Sequence, residues 1–481
     1  MGQANLTSVP RLVHDDPRAL ASRYAVLALC VLAAGLRLWD AAFNFDGDEL
    51  FSVKLASGSS VDVVQRALAD RPHPPLYYLL LHIWMRAFGP HEASVRVLSV
   101  VFAVVFILLS FKLFRRFMPT PSALFALGIL VASPLFVYYG QQARPYSLVA
   151  MLAVGNLLAF LRTLDRPGRS QLVLWALSCA LLLYSQYMGV LLIAAEILYA
   201  LLSRSGGRMA IVAWGLIGCL SISPWAVTAF GPSIGRGVDP LNQINWMERP
   251  GPIELPWFYI SIFGTNSGVP SRWLVLLLVG LGIACTWRFL SSKRALPRHL
   301  PLLVIIAFGL PGLVFAISLL GPKPVFAPRQ LLVSGVALVA LVAIALAWLP
   351  RLAGQSVALL LLVWTVASMP SSLPHHANPP WRAMAQYLDR DFSHEDAVVE
   401  ESWIGDPLAF YRRAGAVVPV QALGLEQRDA GFLFICRMRR CSSLGNDEFA
   451  GRARPLSVWA WGDGDPSNDR DHLRVYRVLK R

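Results

Sequence analysis

Three acids stand within four residues at Asp46, Asp48 and Glu49, in the stretch Phe43-Asn44-Phe45-Asp46-Gly47-Asp48-Glu49-Leu50 that follows the first long apolar run. Only 15% of the chain is charged, so such a cluster at the end of an apolar segment reads as functional rather than as the solvated start of a loop. A second set of ions stands out by position. Arg144, Lys323 and Arg329 each lie beside Pro or Tyr near the end of an apolar run, on the face that membrane spans usually keep poor in cations. Arg grips a phosphate with two prongs, and Lys acts on it as a point charge. A carboxylate opposite such cations suits one chemistry well. It takes the proton from an attacking hydroxyl while the cations steady a departing phosphate, as in displacement of a sugar from a lipid phosphate. Adjacent Asp48 and Glu49 could instead hold a divalent ion. His73, in Arg71-Pro72-His73-Pro74-Pro75, is a candidate helper at the substrate, or a hydrogen-bonding residue of the turn. The competing use of the cations is contact with anionic headgroups or with the acidic cluster itself. No nucleophile with a Ser/His/Asp setting, no HExxH and no CxxC occurs.

The elements that must position these residues are membrane helices. The chain has 481 residues, 56% of them hydrophobic, and a mean hydropathy of +0.52. Repeated apolar runs of about 20 residues fit an all-α polytopic membrane domain, since each run crosses the hydrocarbon once. The net charge of +14 then belongs to inner loops rather than to nucleic acid. Charge asymmetry between loops predicts about 11 spans over residues 1–370, with the N-terminus inside and the acidic cluster outside. The first apolar segment, from Tyr24, runs into Arg37-Leu38-Trp39-Asp40 without a small-residue cleavage site, so it is expected to remain as a helix. Residues 59–70 carry the spacing of an amphipathic surface helix, and Leu76 to Phe88 is short enough to be interfacial or re-entrant. A Pro- and Gly-rich stretch of about 40 residues after Phe230 reads as a long outer loop.

After Pro370 the composition turns charged. Residues 371–481 alternate helix-like and strand-like segments, which predicts a small soluble α/β domain outside the membrane. Strands are expected near 397–400, 416–420, 432–436 and 473–478, with helices at 381–388 and 407–413. Gly462-Asp463-Gly464-Asp465 lacks the third glycine and the helix of a nucleotide-binding turn. Cys436 and Cys441 are separated by four residues and sit in the compartment where disulfides persist, so a bond between them is expected.

A family resemblance rests on motifs in order. Asp48-Glu49, His73-Pro74-Pro75-Leu76-Tyr77-Tyr78, Phe88-Gly89 with Glu92 and Arg96, and Tyr139-Gly140-Gln141-Gln142-Ala143-Arg144-Pro145-Tyr146 together resemble the GT-C glycosyltransferases. The likeness is to the bacterial branch related to protein O-mannosyltransferases and lipid A aminoarabinose transferases. It covers the first 200 residues well and Phe326 to Arg329 loosely. The resemblance implies a GT-C fold, Asp48 as catalytic base with Glu49 as its partner, and Arg144 and Tyr146 lining the active-site cavity. It also implies a polyprenyl-phosphate sugar as donor, a glycan, lipid or protein as acceptor, and a site on the outer face of a bacterial inner membrane. Gln142 departs from the pattern, because many relatives have Glu there. A transporter or flippase of a lipid-linked anionic sugar is the rival reading, but no second copy of the His-Pro-Pro or acidic stretch marks an internal repeat. A non-catalytic anchor for the C-terminal domain would have no need of the acids.

Overall fold

Helices account for nearly all of the structure up to residue 372. The computed structural model describes residues 17–203, 207–237, 239, 247–264, 271–291, 296–373, 378–423, 431–437, 451–460 and 472–480. Helix α1 (Pro17–Leu38) leads to the acidic turn, followed by the short helices α2 (Gly47–Ala56), α3 (Ser60–Asp70) and α4 (Leu76–Phe88). Helix α5 (Glu92–Phe114) then crosses the bundle, α6 (Thr120–Ala132) and α7 (Pro134–Gln141) form a bent pair, and α8 (Tyr146–Asp165) returns along α5.

Both short helices after the acidic turn begin with reciprocal caps. Asp46 caps α2 and Glu49 reaches back to the Asp46 N–H, while Ser59 and Asp62 do the same for α3. Such a box satisfies two otherwise orphaned N–H groups and fixes where each helix starts. Helix α3 has the amphipathic character read from the sequence, and α4, at 13 residues, is not among the helices long enough to span.

Among the described residues, five helices are long and apolar enough to cross a membrane, or seven if each of two bent pairs counts as one. Four shorter apolar helices (Arg169–Ser185, Gly189–Leu202, Trp273–Ile283 and Leu332–Leu346) lie among them. The expected count of about 11 is reached only if all four of these also cross. The long outer loop is corrected more clearly. Helix extends through Ser223–Gly235, and a further helix occupies Glu254–Phe263. Pro232 is accommodated inside the first of these helices and Pro256 sits in the first turn of the second, while Pro250 and Pro252 precede that helix in irregular backbone.

The bend between α6 and α7 measures 58° and has a local cause. Pro134 cannot donate to the preceding turn, so carbonyls there lose their helical partner. The guanidinium of Arg37, buried on α1, fills the gap and donates to Leu130 O, Val131 O and Phe136 O at 3.0–3.5 Å. Gly140 is required beside it, since a Cβ at that position would stand 2.5 Å from Arg37 Nε. This break turns the Gln141–Arg144 segment toward α2.

Beyond the helices lies a five-stranded sheet of order β2-β1-β3-β5-β4. Strands β1 (Ala397–Val399), β2 (Val417–Pro419) and β3 (Phe432–Arg437) are parallel, and β5 (His472–Val478) pairs antiparallel with β3 and with β4 (Ala453–Ala460). Helices Trp381–Asp391 and Ser402–Tyr411 cover one face, burying Trp381, Leu388 and Leu408 against Leu433 and Ile435. Strand β4 has no counterpart in the sequence reading. Its Pro455 argues against a strand, and the structure accommodates it at the sheet edge beside a register shift at Pro455/Ser457. Cys436, in β3, is disulfide-bonded, and Cys441 lies outside the described residues.

The sheet unit is fastened to the acidic turn. Phe45 N–H donates to the Tyr411 hydroxyl at 2.7 Å, and that hydroxyl donates to Glu92 Oε1 at 2.7 Å. Arg382 pairs with the same Glu92, and Asn44 Nδ2 donates to Pro379 O at 2.9 Å. The C-terminal sheet therefore sits at the same end of the bundle as Asp46, Asp48 and Glu49.

Candidate active site

Consecutive helical residues point about 100° apart, and this separates Asp48 from Glu49. Glu49 faces inward and is fully buried. Arg96 of α5 grips it with two prongs, Nε to Oε1 at 2.9 Å and Nη2 to Oε2 at 2.5 Å. The Ala143 N–H and the Asp46 N–H supply two more hydrogen bonds, at 2.9 and 3.0 Å. The rest of the Arg96 guanidinium donates to the carbonyls of Ala41, Phe43 and Asn44. A buried ion pair is tolerated when its remaining donors and acceptors are used in this way. Asp48 points the other way, and about half of its side chain is exposed, at 52%.

Asp48 opens into a cavity of about 470 Å³ whose lining includes Asp70, His73, Arg144, Tyr146, Tyr187 and Arg329. Arg144 is buried at its wall. It donates to the Asp48 carbonyl and to Ser52 Oγ, each at 3.3 Å, and its Nε lies 4.0 Å from Asp48 Oδ2. The rings of Phe51 and Tyr146 flank its guanidinium at 5.5 and 5.8 Å. Its Nη2 also meets His73 Nε2 at 3.3 Å. An arginine can only donate, so Nε2 accepts and the His73 proton sits on Nδ1, which donates to Asp70 Oδ2 at 2.6 Å. The chain Asp70–His73–Arg144 thus fixes the guanidinium from behind.

Of the residues expected at the site, Asp48, His73, Arg144, Tyr146 and Arg329 come together around this cavity. Two do not line it. Glu49 is enclosed behind Asp48 by Arg96, and Lys323 pairs with Asp239 at 2.6 Å. The arrangement of Asp48 and Glu49 as a joint cation clamp is also absent, because their carboxylates face opposite ways. Among the described residues no three His, Cys, Asp or Glu side chains converge as metal ligands. Gln142 is buried and does not line the cavity. The sequence reading passed over Asp70, whose only signal is its place three residues before His73 at the end of an amphipathic helix. It also passed over Gln186, Tyr187 and Gln330, polar side chains just beyond apolar runs.

Within the acidic cluster, the titration of Asp46 is displaced. Burial pushes its carboxyl from the ordinary 3.8 up to about 7, the charges of Asp48 and Glu49 push the same way, and the Gly47 N–H and Arg144 oppose them.

Residues 72–227 match the family described as dolichyl-phosphate-mannose-protein mannosyltransferase. No curated protein sequence matches the chain. The structure is similar to ArnT from Cupriavidus metallidurans, with a TM-score of 0.60 and 13% identity for the apo state, covering 95% of this chain and 98% of that one. For ArnT bound to undecaprenyl phosphate the TM-score is 0.59 and the identity 14%, with the same coverage. The fold is GT-C. The arabinofuranosyltransferase AftD from Mycobacteria is also similar, with a TM-score of 0.52 and 17% identity, over 95% of this chain but only 40% of AftD. The resemblance read from the motifs is borne out, and the family that matches residues 72–227 is one of glycosyltransferases.

Two outcomes follow from the geometry. Glu49→Gln should cost about 3–5 kcal/mol of stability, as expected when one partner of a buried ion pair is lost. Thermal unfolding in detergent measures this, and unchanged stability would show that the pair does not hold the loop. Asp46 ionises near 3.8 in the unfolded chain and near 7 in the folded one, so the folded state holds the extra proton between these values. Stability from this group therefore falls as pH rises through that window. Asp46→Asn should keep the cap and flatten the decline between about pH 4 and pH 7, read as melting temperature against pH; parallel curves would contradict it.

Proposed function

We propose that the chain transfers a glycosyl group from a polyprenyl-phosphate-linked sugar to an acceptor hydroxyl, with inversion at the anomeric carbon. The observation that carries this reading is the pairing of an exposed carboxylate, Asp48, with the buried guanidinium of Arg144 across one cavity. Asp48 takes the proton as the acceptor oxygen attacks the anomeric carbon. The bond from that carbon to the phosphate oxygen breaks, and its electron pair leaves with the lipid phosphate. Arg144 and Arg329 meet the charge that develops there, and His73 and Tyr146 hold Arg144 in place. A single displacement of this kind inverts the configuration. Glu49 then acts as a positioning residue for Asp48, and Lys323, set back on Asp239, serves at the rim.

A narrow apolar crevice between Val149, Leu182, Leu192 and Val314 opens beside Gln186, Met188 and Arg329. It supports a donor whose lipid chain leaves the cavity toward the membrane. The relative ArnT is known in complex with undecaprenyl phosphate, which agrees with this donor class. In this reading residues 1–370 form the membrane domain and residues 371–481 a periplasmic domain of a bacterial inner-membrane enzyme. The acceptor is a glycan, lipid or protein hydroxyl presented at the outer face.

The test is transfer from radiolabelled polyprenyl-phosphate sugars to a cell-envelope extract by the purified protein. Asp48→Asn should lose about a hundredfold or more in rate while unfolding at the wild-type temperature. Arg144→Ala should lose donor affinity, and Arg144→Lys should recover only part of it, since a point charge replaces a two-pronged donor. Full turnover by Asp48→Asn would remove it as the base.

A further inference from the structure

A second charged cavity lies at the other end of the bundle. Helix α8 starts at Tyr146 in the acid cavity and ends at Asp165, and 20 residues of helix span about 30 Å, the thickness of the hydrocarbon core. At Asp165 a cavity of about 400 Å³ is lined by Arg116, Phe117, Asp165, Arg166, Arg298 and His299. Its walls come from three places: the turn after α5, the end of α8, and the approach to the Leu300–Leu320 span. Asp165 sits at the junction, paired with Arg116 and, at 3.1 Å each, with Arg298 and His299. His299 is buried, with its other ring nitrogen 3.2 Å from the Tyr199 hydroxyl. Three arginines against one aspartate leave two positive charges around the cavity. Arg166 is exposed and pairs with no acid among the described residues.

Arginines at the ends of α5 and α8 offset the helix dipoles, and each taken singly needs no other reason. The dipoles do not account for a polar space of this size enclosed by cations at headgroup depth, with a third arginine contributed by a separate span. We propose that this cavity cradles the phosphate headgroup of an anionic phospholipid in the leaflet opposite the acid cavity. The headgroup phosphate lies between Arg166 and Arg298, and its acyl chains run down the bundle surface. Bound lipid would tie together the three segments that meet at Asp165.

The full-length protein in detergent, titrated with phosphatidylglycerol or phosphatidylcholine while thermal unfolding is followed, tests this. Phosphatidylglycerol should raise the melting temperature saturably and phosphatidylcholine should not. Arg166→Ala should weaken the apparent affinity for phosphatidylglycerol about fivefold, and Arg166→Ala with Arg298→Ala by more, from the usual gain per cation near an anionic surface. Lys112→Ala with Arg351→Ala removes as much charge outside the cavity and should leave the titration unchanged. Equal weakening by both double variants would overturn the proposal in favour of diffuse attraction. Inorganic phosphate reproducing the full shift at matched concentration would also overturn it, by assigning the cavity to a free anion.

Discussion

The acid-bearing end of this protein depends on one buried ion pair, Glu49 with Arg96. Through it α2, the turn before it, α5 and the segment leading into α8 share a single set of hydrogen bonds. Apart from α5, these pieces are short or irregular, and the shared hydrogen bonds tie them to that long helix. Because Glu49 is fixed inward, its neighbour Asp48 is fixed outward. The Asp48 carboxylate, the base in the proposed reaction, thus stands in the cavity with no hydrogen-bond donor on it among the described residues, only the edge of Arg144 at 4.0 Å. The sheet unit adds a second support through Tyr411 and Glu92, one helical turn from Arg96 on α5.

The cavity itself reflects a division between held and available charge. Arg144 is buried, flanked by two rings and backed by the Asp70–His73 pair, so little conformational entropy remains to be lost when an anion meets it. That is the arrangement expected of a preorganised electrostatic site, in which donors are aimed before charge develops. The break at Pro134 and its repair by Arg37 are the structural origin of this placement, since an unbroken helix would carry Gln141 to Arg144 past α2.

Much of this was legible in the sequence, and what was not has physical reasons. Asp48, His73, Arg144, Tyr146 and Arg329 could be picked out because ionisable residues are costly at membrane exits, and their motifs recur in order. Residue type alone did not tell Glu49 from Asp48, and only the family resemblance assigned them different roles. What the sequence did not show is that Glu49 faces inward, because adjacent acids look alike until the helix start is fixed by the Asp46 cap. Lys323 carried the same signal as Arg329, and the structure separates them, with Arg329 on the cavity wall and Lys323 paired with Asp239. Helix Glu254–Phe263 was hidden by flanking prolines and glycines, which mark helix ends as readily as loops. Strand β4 was hidden by Pro455, which an edge position tolerates. Arg37 gave no signal at all, since one arginine at the end of an apolar run reads as an ordinary anchor rather than a plug for carbonyls 94 and 99 residues away.

The central claim is that the fixed pair Glu49–Arg96 presents Asp48 to a sugar whose phosphate is held by Arg144 and Arg329. The most direct measurement is an electron cryo-microscopy structure of an inactive variant at position 48 bound to a polyprenyl-phosphate sugar. The account requires phosphate density against Arg144 and Arg329, with the sugar between them and residue 48 and the Glu49–Arg96 pair intact. Phosphate density at Lys323 or outside the cavity, with Arg144 unengaged, would contradict it.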